Sequence, residues 1–146
     1  MKTETSVFDR LEGNREYAYS IIRIFLGLAL FVRGLVLSSD PSKIIQLADA
    51  QQWYWWYSFV IVAHIIGGLL LALGLATRWA SLLQTPILFG AVFFVHLHQG
   101  LLDKGQSLEL SILVLVLLLI FSVFGSGTLS VEEYLKAKRD TRSLET

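Results

Sequence analysis

The charged residues of this chain gather at its two ends, and four apolar stretches with few charges fill the middle. The stretches cover about 17–37, 55–75, 79–97 and 108–124. Each has roughly 17–21 residues, enough to cross a hydrocarbon core of about 30 Å at about 1.5 Å per residue. In lipid every backbone amide needs a protein partner, so the stretches are expected to be helices. Barrel strands would alternate in polarity, and 113–120 shows no alternation. The expected fold is therefore all-α, a four-helix transmembrane bundle at 17–126. An N-terminal segment at 1–16 precedes it, and a C-terminal tail at 127–146 follows.

Composition agrees. Of the 146 residues 54% are hydrophobic and 16% charged, where a soluble domain carries about 25% charge. The net charge of zero offers no field for nucleic acid. With no cysteine there is no disulfide, thiol nucleophile or cysteine-ligated metal. The first stretch is too long for a signal peptide, no small-residue cleavage site follows it, and Glu4, Asp9, Glu12 and Glu16 lie ahead of it. It reads as a retained helix.

The connections set the topology. Gly74 with Ala76-Thr77-Arg78 makes a tight link, so helices two and three are expected to be antiparallel neighbours. Gly100 and Gly105 break the chain between helices three and four. In the first loop Asp40-Pro41 signals a helix start ahead of Ile44, Ile45, Leu47 and Ala48. A short interfacial helix is expected there. Trp53-Tyr54-Trp55-Trp56-Tyr57 forms an aromatic belt at one surface, and Trp79 marks the other. Lys2, Arg10, Arg15, Arg78, Lys136, Lys138, Arg139 and Arg142 flank the helices on one side, against Lys43 and Lys104 on the other. The positive-inside rule then puts both termini of a multi-pass chain in the cytoplasm and the aromatic belt outside, in the periplasm if the membrane is a bacterial inner membrane.

Ionisable groups inside spanning helices cost about 2.5–3.5 kcal/mol each at the centre, so each needs a reason. Arg23 lies near the cytoplasmic end of helix one, where its simplest reading is snorkelling to lipid phosphates. Arg33, His96, His98 and Glu109 share one depth in the outer leaflet, which makes them the candidate polar site. An Arg33–Glu109 pair is the most economical account of both charges. His64 lies near the midplane and heads a stripe of Gly68, Ala72 and Ala76 that marks a packed helix face. It reads either as a hydrogen-bonded packing residue or as a ligand or proton carrier. Metal is not expected, because His96 and His98 point to opposite sides of a helix and no third ligand converges. Haem bridged by His64 and His96 is disfavoured by a depth difference of about 10 Å. No nucleophile triad, phosphate loop or dinucleotide fingerprint occurs.

Three blocks in order resemble the DoxX-like membrane family: Arg23-Ile24-Phe25-Leu26-Gly27 with Arg33-Gly34, the run from Gly67-Gly68 through Gly74-Leu75-Ala76-Thr77-Arg78, and Gly125-Ser126-Gly127-Thr128-Leu129-Ser130-Val131-Glu132. His96 after Val92-Phe93-Phe94-Val95 also matches. In two places the chain departs from the family pattern. His64 stands near the family's frequent acidic residue, and Arg33 is the nearest cation to its common lysine. The resemblance implies the four-helix fold and, for some members, a role as subunits of quinone-linked oxidoreductases.

The leading reading is thus an accessory membrane subunit that binds a quinone headgroup and supports a redox partner. Arg33 or His96 would donate hydrogen bonds to the quinone, and Glu109 would set their charge. The alternative is a non-catalytic membrane anchor or assembly factor that docks partner proteins through its helices. Small-residue stripes serve intrachain and interchain packing alike, which leaves oligomerisation open.

Overall fold

The computed structural model describes residues 14–39, 54–96 and 107–143. All regular structure there is helical: α1 (Arg15–Ser39), α2 (Tyr54–Leu73), α3 (Thr77–Gly90), a π-helical continuation (Ala91–His96), α4 (Ser107–Phe124) and α5 (Val131–Ser143). The expected interfacial helix, the side chains of the aromatic belt and the link between helices three and four fall outside the described residues.

Helices α1 and α2 make the most extensive contact, α3 packs on α4, and α2 joins the two pairs. The α1/α2 approach is close because small residues line it. A Cβ on Gly27 would stand 2.7 Å from the Gly68 carbonyl oxygen, and one on Gly68 would stand 2.5 Å from the Phe31 nitrogen. Further along, a Cβ on Gly34 would meet the Ile65 backbone at 2.8 Å and His64 Cβ at 3.0 Å. Rising numbers on α1 face falling numbers on α2, so the two run antiparallel. Leu26, Leu30, Leu71, Leu88, Leu118 and Phe121 form the apolar core among the helices.

The α2–α3 link follows from glycine. Gly74 has φ +69°, and Leu75 N–H bonds to Leu70 O (2.9 Å) while Gly74 N–H bonds to Leu71 O (3.2 Å). That pair of bonds is a Schellman termination, with glycine at the position that needs left-handed backbone. Ala76, also left-handed at φ 48°, starts α3 without a side-chain cap.

Two stretches differ from expectation. Helix three does not run as one α-helix to 97. Pro86 lies inside α3 and removes the N–H due to Leu82, and the wider π ladder begins after Gly90. The region read as a C-terminal tail contains α5, thirteen residues long. Ser130 Oγ accepts from Glu133 N–H (3.1 Å), the capping geometry of an S-x-x-E start.

Polarity is inverted relative to a water-soluble domain. Phe25 is 74% exposed, Phe124 71% and Val123 65%, whereas Arg23, Ser20, Ser81 and Gln84 are at 0%. Among the described residues α1 is the helix long and apolar enough to cross a membrane, and shorter apolar runs span Ser58–Leu73 and Leu108–Phe124.

Candidate functional site: a buried polar seam

Two groups of buried polar side chains occur, and they differ in how their atoms are satisfied. The first centres on Arg23. Its guanidinium is not at the surface, so snorkelling is overturned: the side chain is fully buried between α1, the end of α2 and the segment before α5. Nη1 donates to Leu71 O (2.9 Å) and Nη2 donates to Leu129 O. Helix ends leave carbonyls without intrahelical partners, and a guanidinium fork suits them. Around it Ser20 Oγ accepts from Leu129 N–H (3.2 Å), Tyr19 Oη donates to Gly125 O (2.9 Å), and Glu132 N–H donates to Gly74 O (3.3 Å). These bonds fasten the α1 start, the α2–α3 turn and the α4–α5 connector together.

The second group lies along α3, and its Gln84 faces Gly67 of α2. Thr77, Ser81 and Gln84 recur at i, i+4 and i+7, so one face of α3 carries them over about 10 Å of rise. All three are at most 1% exposed. Thr77 Oγ1, Ser81 Oγ and both amide atoms of Gln84 have no hydrogen-bond partner among the described residues. Opposite Gln84 stands Gly67, where a Cβ would come within 2.6 Å of Gln84 Nε2. The absent side chain is what admits the amide. One turn back along α2, His64 is 4% exposed. Its Nδ1 lies 2.9 Å from Val60 O. A carbonyl only accepts, so Nδ1 carries the proton and neutral His64 presents Nε2 as an acceptor. An unpaired buried amide or hydroxyl costs about 1–3 kcal/mol, so this seam is costly to the fold unless something fills it.

The expected site residues are only partly brought together. His64 is in the interior, and Gly34 packs against it from α1. Arg33, next in sequence, is exposed. Glu109 lies half-buried in the first turn of α4. No direct Arg33–Glu109 bridge is among those found between described residues, which join Lys136 to Glu132 and Glu133 on α5; coupling through an intervening group is a separate arrangement. His96 ends the π-helical segment, with its side chain outside the described part, and His98 lies outside the described residues. Among the described residues no three His, Cys, Asp or Glu side chains group to hold a metal. Gln84 and Ser81 were missed by reasoning that searched only for ionisable groups. Their signal was the spacing of Thr77, Ser81 and Gln84 on a single helical face.

A helical bundle with polar groups inside and large apolar side chains outside defines a membrane-associated protein. The chain belongs to the DoxX family, whose model matches residues 18–97 of the 146, more than half of its length. No curated protein and no solved structure matches it.

Proposed function

We propose that this chain is a four-pass accessory subunit of the bacterial inner membrane that receives a quinone headgroup in the α2/α3 seam and supports a redox partner. The observation that carries the reading is Gln84, fully buried with both amide atoms unpartnered and the Ser81 hydroxyl unpartnered three residues before it. A quinone is an apolar molecule with two carbonyl acceptors, and the Gln84 amide and Ser81 hydroxyl are the donors it needs. His64 Nε2 would accept a proton from the reduced, hydroxyl form. Arg33 stands beside His64, and with His96, His98 and Glu109 would form the outer mouth of the same path. The chain offers no redox centre of its own in this reading, so electrons come from the partner.

Lipid extraction and mass spectrometry of the purified protein test it. Quinone is expected at near one per chain in wild type and lost in Gln84→Leu with Ser81→Ala. Equal quinone content in both would overturn the seam as its site. Reporter fusions at Thr146 and within 40–52 test the topology, and are expected to report cytoplasm and periplasm respectively.

The anchor reading retains one specific observation. Helix α5 presents exposed Tyr134 and Leu135 beside Lys138, Arg139 and Arg142, a surface suited to a partner on the side of the termini.

A further inference from the structure

A cavity of about 850 Å³ opens at the end of the bundle where α1 begins, beyond the Thr77 end of the seam. Its lining combines charge with exposed aromatic surface. Arg15, Arg78 and Lys136 supply three cations, and Glu16, Glu132 and Glu133 supply three carboxylates. Trp79 and Phe124, 75% and 71% exposed, form part of its wall.

Lys136 Nζ lies 3.5 Å from Glu132 and 3.4 Å from Glu133. The Glu133 hydrogen bond, then its charge, holds the Lys136 ammonium above the usual lysine range, so it stays protonated at neutral pH. One ammonium shared by two carboxylates leaves a negative charge over on the α5 side. Neither Arg15 nor Arg78 forms an ion pair among the described residues. Arg78 lies along the connector, where a Cβ at Gly125 would stand 3.2 Å from its Nε. The cavity thus offers the guanidiniums of Arg15 and Arg78, the Glu16 carboxylate beside Arg15 in the chain, surplus carboxylate charge at Glu132 and Glu133, and aromatic walls open to the surface.

The geometry points to a phospholipid with a zwitterionic headgroup, a phosphodiester carrying a primary ammonium, as the occupant of this cavity. The phosphodiester takes the arginines, through bidentate donors that suit phosphate oxygens. The ammonium takes the surplus carboxylate charge of α5. The glycerol backbone and acyl chains pass between Trp79 and Phe124, aromatics of the kind that settle at the headgroup level. A purely anionic headgroup would leave the α5 carboxylates facing negative charge.

Native mass spectrometry of the full chain, released from nanodiscs of equal phosphatidylethanolamine and phosphatidylglycerol, reads this directly. One phosphatidylethanolamine is expected to stay bound. Arg78→Gln and, separately, Arg15→Gln are expected to lower its occupancy roughly tenfold or more, the loss expected from one charge-assisted hydrogen bond. Glu132→Gln with Glu133→Gln is expected to turn the preference toward phosphatidylglycerol. Thermal melting confirms folding of each variant; if Arg78→Gln does not fold, Arg15→Gln decides. Equal retention of both lipids, a wild-type preference for phosphatidylglycerol, or displacement by excess inorganic phosphate would overturn the proposal. Excess phosphate is expected to leave the lipid bound, which separates a lipid site from a free-phosphate site.

Discussion

Arg23 and Gln84 are both fully buried polar side chains in the same bundle, and their surroundings differ: among the described residues Arg23 leaves only Nε without a partner, Gln84 both amide atoms. Arg23 reaches carbonyls at the end of α2 and before α5 with two of its nitrogens. Gln84 lies in a cradle opened by Gly67 and has no partner for either amide atom. Burial alone therefore does not separate architecture from function. A buried polar group whose bonds close within the chain holds the fold together. One whose bonds stay open costs stability and calls for a ligand. The contrast gives the Arg23 junction a structural part, and it is the ground on which binding is proposed for the α2/α3 seam.

The strongest way to break this contrast is at Arg23. Arg23→Leu removes two charge-assisted hydrogen bonds, worth about 1.5–3 kcal/mol each, leaving Leu129 O without its donor and Leu71 O with Gly74 N–H alone, so a loss of about 3–6 kcal/mol is expected. Thermal unfolding in detergent should show a large drop, with partial rescue by Lys, which keeps the charge but not the two-pronged geometry. An unchanged melting point would mean that the junction does not hold the helices.

Helix packing comes next in size. Gly68→Leu places a large side chain against the Phe31 and Gly27 backbones, and the helices must part. Overpacking of this kind costs about 1–3 kcal/mol, more where only backbone can yield. The melting point should fall, while a change at outward-facing Phe25, such as Phe25→Leu, should leave it nearly constant. Equal effects at both positions would deny that this face is the α1/α2 interface.

These predictions also show which features were legible in sequence. The apolar runs located α1, α2 and α4 within a few residues, because length and unbroken hydropathy dictate a helix. The His64, Gly68 and Ala72 stripe pointed to a packed face through its spacing alone. The role of Arg23 was not legible, since its acceptors are backbone carbonyls 48 and 106 residues away and carbonyls leave no mark in a sequence. The Arg33–Glu109 pairing was inferred from shared depth, which fixes height along the bundle but not which way a side chain turns. Helix α5 was legible and went unread: Ser130 with Glu133 is a capping box, with Glu132 and Glu133 in the first turn and Arg142 in the last. The π segment has contributing causes at Pro86 and Gly90, yet neither residue specifies it.

The smallest expected effect has the opposite sign and bears most directly on the central claim, that open bonds in the α2/α3 seam exist for a ligand. The measurement is the thermal melting of Gln84→Leu beside wild type, each stripped of lipid and then titrated with a quinone. Replacing an unpartnered buried amide by an apolar side chain of similar size should raise the melting point of the stripped protein, by about 1–2 kcal/mol of stability. Added quinone should raise the melting point of wild type, as any ligand of the folded state does, and leave Gln84→Leu unmoved. A fall in the melting point of stripped Gln84→Leu, or an equal response of both proteins to quinone, would contradict the account.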